Sequence, residues 1–546
     1  MNMTNTKRVV TILALLMSQA AVRPVASKAM DAASGDTVKT KDGLIRGVGQ
    51  SSSGVRIFRG IPFAAPPVGE LRWKAPIAPK PWTGVRQATE FSARCIQAPI
   101  SSDMVSRSNG ISEDCLYLNV WTPARSGKER LPVFVYIYGG GFSGGDASEP
   151  RYDGENIAAQ GVVVVSMNYR LGVFGFLSHP DLSRESAYHG SGDYGLLDQS
   201  AALKWVSQNI SAFGGDPQHV TIGGESAGSI SVSGQMASPL SKDLIAGAIG
   251  ESGSLIGSLP AVPLAVGEQN GVKFAEALGA TSINQLRALP AYQIYDGARK
   301  AGVRFSVTVD GYFLPKSPAA IYAEGEQAHI PLLAGSNSEE GGAYGVLGHH
   351  EPTLENYKQA LQKLYGDKAD EVFALYPASE DGDSVVSAAQ SLASDRFIAF
   401  STGEWMTLAT KTGGKPTYYY FYSRKRPDLT PEVEAAFAYW QVYTDDGVKY
   451  PRPAPRGASH SAEIEYALGN LDKNAVYRWT DEDRQLSKEI NGYFVNFIKT
   501  GDPNGKSLPA WPTFKSGKRL IIDVDTHAET ENIDARYAFL YSLLAR

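Results

Sequence analysis

Two stretches of this chain carry almost no polar side chain: Leu131-Pro132-Val133-Phe134-Val135-Tyr136-Ile137-Tyr138 and Val162-Val163-Val164-Val165. A strand wetted on one face alternates apolar and polar residues. Short unbroken runs therefore predict strands buried on both faces of a parallel sheet. Between and after them the spacing changes. Ala201, Leu203, Trp205, Val206 and Ile210 recur at helical intervals and stop at Gly214-Gly215-Asp216-Pro217, which predicts a helix over 198–210. Further strands are predicted at 246–251, 330–335 and 417–422. Residues 261–300 and 352–390 read as helical and are expected to form a cap. Nearer the start, residues 37–48 alternate around Lys41-Asp42-Gly43 and predict a hairpin, with short strands at 55–58 and 115–121. Strands alternating with helices give an α/β class: a large, mostly parallel central sheet flanked by helices, with a small N-terminal antiparallel sheet.

One junction in this pattern carries chemistry. Gln218-His219-Val220-Thr221-Ile222 leads into Gly223-Gly224-Glu225-Ser226-Ala227-Gly228, and small residues that can start a helix follow. A serine hydroxyl becomes a nucleophile only where a base can take its proton and a substrate can reach it. A sharp strand-to-helix turn provides that position. Such a turn leaves no room for side chains at Gly224 and Gly228. Ser226 is the candidate nucleophile. The motif alone is weak, because Gly141-Phe142-Ser143-Gly144-Gly145 matches it equally well. Ser143, however, sits in a glycine-rich loop with no helix start after it.

Composition narrows the class. The chain has 546 residues, of which 43% are hydrophobic and 20% charged, so it can build a large core. A net charge of -5 and a pI near 6.0 give no basic field, which argues against nucleic acid and anionic membrane as partners. Lys7-Arg8, the apolar run Val9 to Met17 and the small residues near Ala20 and Ala29 read as a secretory signal over 1–29. The mature chain is then 30–546, secreted or periplasmic. The apolar run is too short to span a bilayer, so no stable membrane insertion is expected after cleavage. The two cysteines, Cys95 and Cys115, suit export as a bridge, or stand as two buried thiols. They form no metal pattern with the scattered histidines.

Acyl transfer needs a base, a group to orient it and donors for the oxyanion. For a serine on a strand-to-helix turn, the chain order is serine, acid, histidine. Of the eight histidines, only His329, His349, His350, His460 and His527 come late enough. His460 lies between a proline-rich loop and an apolar helical start, flanks that can hold an imidazole over a strand end. His349 and His350 follow a glycine-rich turn and read as surface. His527 sits among acidic residues and reads as a surface ion pair. The acid should follow a strand, and Glu339 or Glu340 does so. Gly139-Gly140-Gly141, directly after a buried strand, offers unblocked backbone N–H groups that can join that of Ala227.

Together these residues resemble the type-B carboxylesterase/lipase family, the cholinesterase-like branch of the α/β-hydrolase fold. The matching segments include Phe58-Arg59-Gly60-Ile61-Pro62-Phe63-Ala64, Ser112-Glu113-Asp114-Cys115-Leu116-Tyr117-Leu118-Asn119, Tyr138-Gly139-Gly140-Gly141-Phe142, Asn168-Tyr169-Arg170-Leu171-Gly172, Gly195-Leu196-Leu197-Asp198-Gln199 and Asp310-Gly311-Tyr312-Phe313. They run in family order over almost the whole mature chain. The resemblance implies one large domain with Ser226 as nucleophile, Glu340 as acid and His460 as base. It implies Gly140, Gly141 and Ala227 as oxyanion donors and Ser252 as a hydrogen-bond partner of the acid. It also implies a Cys95–Cys115 disulfide, and structural ion pairs of Arg72 with Glu113 and Arg170 with Asp198. The expected activity is two-step hydrolysis of a small-molecule carboxylic ester, with no metal or organic cofactor. The alternatives are a non-catalytic binding or adhesion relative and a lipase for long-chain esters. Residues 96–114 contain no aromatic side chain. Quaternary ammonium recognition relies on aromatic faces, so choline esters are not the expected substrate.

Overall fold

In a computed structural model of the chain, both unbroken apolar runs are interior strands of one eleven-stranded sheet. The structure describes residues 37–98, 104–257, 260–437, 442–445, 448–451, 455–531 and 534–544. The expected signal segment 1–29 and residues 452–454 of the proline-rich loop lie outside the described residues.

The strands of the large sheet, in chain order, are β1 (Gly49–Gln50), β2 (Arg56–Pro62), β3 (Tyr117–Thr122), β4 (Leu131–Ile137), β5 (Val163–Met167), β6 (Gly215–Glu225), β7 (Gly247–Glu251), β8 (Leu332–Asn337), β9 (Thr417–Tyr422), β10 (Lys518–Ile522) and β11 (His527–Thr530). Across the sheet they lie in the order β11-β10-β9-β8-β7-β6-β4-β5-β3-β2-β1. Strands β4 to β10 are parallel, and the two edges are finished antiparallel. In β4 every residue from Val133 to Ile137 is buried, as a strand covered on both faces requires. Order reverses around β4. The crevice at the carboxyl ends of parallel strands, where such a reversal occurs, is the usual place for a site.

The long helix α1 (Tyr194–Asn209) begins four residues before its predicted start at 198. Tyr194, Gly195, Leu196 and Leu197 are all buried, so no polar face marks that first turn. The N-terminal hairpin forms as expected from Thr37–Lys39 and Leu44–Arg46, with Val38 and Ile45 turned inward. A third strand, Val85–Gln87, joins it in parallel, so the small sheet is mixed rather than purely antiparallel. All three residues of that strand are exposed, which left no apolar signal.

The helical stretches divide. Leu264–Ala277, Ile283–Ala288 and Ala291–Ala301 bury Phe274, Leu286 and Ile294 in the main core. Leu354–Tyr365, Ala369–Leu375 and α2 (Asp383–Ser394) build a second core around Tyr357, Val372, Tyr376 and Leu392. The second group reaches the turn after Glu340, where Gln390 accepts from the Ala343 N–H (3.0 Å) and Ser394 from the Gly341 N–H (3.3 Å), beside the candidate site. A π-helical turn, Asp395–Ala399, follows α2 and projects half-exposed Phe397 toward it.

The expected buried ion pairs are present. Arg72 donates to both oxygens of Glu113 at 2.6 Å, and Arg170 to both oxygens of Asp198 at 2.8 and 2.7 Å. Cys95 and Cys115 form a disulfide, with Cα atoms 5.1 Å apart.

Candidate active site

Strand β6 ends at Glu225 and the helix Ala227–Ala237 begins at once, so Ser226 makes the turn alone. Its φ of 55° and ψ of -120° lie outside the regions that L-residues favour. Such a conformation costs on the order of 1–3 kcal/mol and persists only where the surroundings enforce it. Here β4 passes close beneath the turn. A Cβ on Gly224 would lie 2.4 Å from the Ile137 carbonyl oxygen, and one on Gly228 would lie 2.0 Å from it. The Ser226 N–H donates to the carbonyl of Glu251 at the end of β7 (2.8 Å). The hydroxyl is thereby lifted above the strand ends, half-buried and accessible.

The imidazole meets it from a separate loop. His460 Nε2 lies 2.9 Å from Ser226 Oγ, and Nδ1 lies 2.5 Å from Glu340 Oε2. The other oxygen of Glu340 accepts from the Ser252 hydroxyl (2.5 Å) and the Asn337 N–H (2.6 Å). The carboxylate is thus fixed from three sides, which fixes the ring. The two neighbouring glutamates divide the work. Glu339 turns the other way and accepts from the Arg456 and Gly457 N–H groups, tying down the loop that carries His460.

Opposite the ring lies the glycine loop after β4. Gly140 and Gly141 hold φ of +110° and +61°. A Cβ on the preceding Gly139 would stand 3.0 Å from Ser226 Cβ, so this backbone rests against the turn itself. Among the described residues, no group accepts from the N–H of Gly140, Gly141 or Ala227. Three unspent donors beside an accessible hydroxyl suit an oxygen that gains negative charge. The loop is held at its far end by Gln97, whose amide donates to Gly145 O (2.8 Å) and accepts from Gly145 N–H (2.9 Å). Gln97 itself lies two residues past Cys95, inside the disulfide loop.

A model of the carboxylesterase family matches residues 34–540. The chain belongs to the carboxylesterase family. Its relatives include "Fumonisin B1 esterase" of Sphingopyxis macrogoltabida, 36% identical over 496 residues covering 87% of this chain and 84% of that one. "Para-nitrobenzyl esterase" of Bacillus subtilis (strain 168) is 35% identical over 512 residues, 91% of this chain and 96% of the relative. "Cocaine esterase" of Homo sapiens is 33% identical over 504 residues, 86% and 84% respectively. The protein is a carboxylic ester hydrolase of the α/β-hydrolase fold.

The esterase brings further side chains to the imidazole that sequence reading did not single out. Glu225 Oε1 lies 3.2 Å from His460 Nε2, at ion-pair distance on the side of the ring that also meets Ser226. Burial alone would lower the basicity of His460, but the carboxylates of Glu225 and Glu340 outweigh it and hold the imidazole above its ordinary 6.5. Phe397 meets the ring edge-on, with centroids 5.1 Å apart. Asn337 donates to the Ser459 carbonyl (2.9 Å) and to Glu463 (2.6 Å), joining β8 to the histidine loop. Glu225 was visible as the residue before the serine, and Glu463 as a charge between Ala462 and Ile464. Phe397 comes from a distant helix and left no local signal.

The remaining candidates lie elsewhere. Ser143 is exposed, and its hydroxyl returns to its own loop at Gly140 O (3.2 Å). His350 is exposed and His349 half-buried. His527 is exposed as expected, yet the partner its Nδ1 finds is the Asp525 carbonyl at 2.7 Å, a local turn contact in place of the expected ion pair.

Proposed function

We propose that the esterase works by a two-step serine mechanism in which Ser226, His460 and Glu340 are the triad. His460 takes the proton from Ser226 Oγ as that oxygen attacks the ester carbonyl. The tetrahedral oxyanion is met by the N–H groups of Gly140, Gly141 and Ala227, each worth roughly 3–4 kcal/mol of barrier in sites of this kind. His460 then gives its proton to the leaving alcohol, and an acyl-enzyme remains on Ser226. In the second half His460 takes a proton from water, which attacks the acyl carbon. Collapse releases the acid and returns the proton to Ser226. Glu340 holds the ring in orientation and stabilises the imidazolium in both halves.

The observation that carries this reading is the continuous chain Ser226–His460–Glu340, with distances of 2.9 and 2.5 Å, facing a row of unspent backbone donors. We infer export as well. A Cys95–Cys115 bridge suits an oxidising compartment, and the expected signal at 1–29 would deliver the chain there. The test is covalent. A phosphonate probe for activated serines should label the purified enzyme once, on the peptide containing Ser226. Folded enzyme that takes no label, or takes it on Ser143, would contradict the assignment.

A further inference from the structure

Four carboxyl groups lie buried under and beside the imidazole, and they are unequally provided for. Glu340 accepts three hydrogen bonds. Glu225 faces His460. Glu463 accepts from Asn337. Glu251 is the least provided for: neither of its oxygens has an aligned hydrogen-bond partner among the described residues, the Tyr136 hydroxyl being a neighbouring donor out of alignment, although it is 0% exposed. The two arginines that sense this cluster are engaged elsewhere, Arg426 with Glu465 (2.7 Å) and Arg151 with Glu149 (2.9 Å). An unpaired buried carboxylate is among the costliest groups a protein can hold, and it relieves the cost by keeping its proton.

Position in the sheet makes this more than a matter of burial. Glu225 and Glu251 are register partners on adjacent parallel strands, and Glu251 is in turn the partner of Gly335 on β8. Neighbouring strands lie about 4.8 Å apart, so partner side chains point to one face within reach of each other. Gly335 leaves this face open, and the Tyr420 ring of β9 fills it: a Cβ there would stand 2.2 Å from the ring. The hydroxyls of Tyr136 and Tyr420 are both buried without an aligned partner. Burial and the negative charges of Glu463 and Glu225 push Glu251 well above the usual carboxylate range, with the Tyr136 hydroxyl opposing.

We propose that Glu251 is a positioning residue held as a neutral carboxylic acid, and that its O–H donates to the Glu225 carboxylate so that Glu225 keeps the charge it presents to His460. The proton stays on Glu251 throughout the cycle. Glu251 also fixes the site through its backbone, since its carbonyl receives the Ser226 N–H. Its side chain therefore has a separate task, sustaining the field at the imidazole.

This inference rests on the triad reading, and its test is read apart from it. The pH dependence of kcat/KM should be compared in the wild type, Glu251→Gln and Glu251→Leu. Glutamine is neutral, has nearly the same shape and keeps a donor, so it should hold the acid limb within about 0.3 pH unit of the wild type. Leucine removes the donor, weakens the charge on Glu225, and should move the limb down by about one unit. A Glu251→Gln limb displaced as far as that of Glu251→Leu would mean that Glu251 is ionised, and would overturn the proposal. A Glu251→Leu enzyme that loses stability with its limb unmoved would overturn it too. Should Glu251→Leu fail to fold, infrared difference spectra of folded wild type and Glu251→Gln decide. The proposal requires a protonated-carboxyl band in the wild type at neutral pH that Glu251→Gln lacks; its absence from the wild type refutes it. That readout needs no turnover, so it stands even if Ser226→Ala were to keep activity and sink the triad reading.

Discussion

The loop that carries His460 and the glycine loop that faces it meet at Ser226, yet they are fixed by different forces. Charged groups and the carboxamide of Asn337 sew the histidine loop down. Glu339 collects the N–H groups of Arg456 and Gly457, Asn337 reaches the Ser459 carbonyl, and Arg426 donates to the Ser461 carbonyl at 2.5 Å. Among the described residues, no charged side chain hydrogen-bonds the glycine loop. A stack of Tyr138 on Tyr169, 4.6 Å apart, anchors its start, and the neutral amide of Gln97 anchors its end. The difference follows from what each loop must offer. One side holds a proton whose affinity has to be set by charge. The other holds bare N–H groups, whose use would be spoiled by a nearby carboxylate that accepted from them.

That comparison can be broken most severely on the charged side. Glu340→Gln keeps the shape but removes the charge that orients and stabilises the imidazolium. We expect kcat to fall by on the order of 10⁴-fold, with KM little changed, in steady-state kinetics on a p-nitrophenyl ester. On the neutral side, a Cβ at Gly140 would lie 2.3 Å from the Gly144 carbonyl oxygen. Gly140→Ala should therefore displace a donor and cost roughly 10²–10³-fold in kcat. Gln97→Ala frees the far end of the same loop without touching the site. The two Gly145 groups it leaves unpaired cost about 1–3 kcal/mol each. That should lower the thermal midpoint and kcat together while leaving the pH profile alone.

The pH profile is where the two sides should separate most cleanly. His460 acts as a base only when neutral, and its neighbours hold it above 6.5. Activity should therefore climb with pH along a limb above that of an ordinary histidine. Glu225→Gln removes one of the two charges responsible. The limb should shift down by about one pH unit, so the variant retains more of its own maximum in acid than the wild type does. An unshifted limb would show that Glu225 does not act on the ring.

How much of this was legible in the sequence depended on how local the cause was. Strands β4 and β5 were plain because burial on both faces leaves an unbroken apolar run. The turn at Ser226 was plain because steric crowding by Ile137 permits only glycine at 224 and 228. By local pattern alone Glu339 and Glu340 could not be separated, because a turn has no periodicity to say which side chain faces the imidazole; the family resemblance was what pointed to Glu340. The structure gives one to the ring and the other to the loop. The row Glu225–Glu251–Gly335–Tyr420 was invisible for a different reason. It runs across strands, from residues far apart in the chain, and its members acquire meaning only through the register. Phe397 depends likewise on a π-helical turn whose position no local pattern announced.

Every step of the proposed mechanism depends on Ser226 being the attacking group. Its most direct test is hydrolysis of short- to medium-chain p-nitrophenyl esters by the wild type beside Ser226→Ala. Measurable turnover is expected in the wild type, and a loss of about a millionfold, to the background of the assay, in a folded variant. Full activity in Ser226→Ala would contradict it.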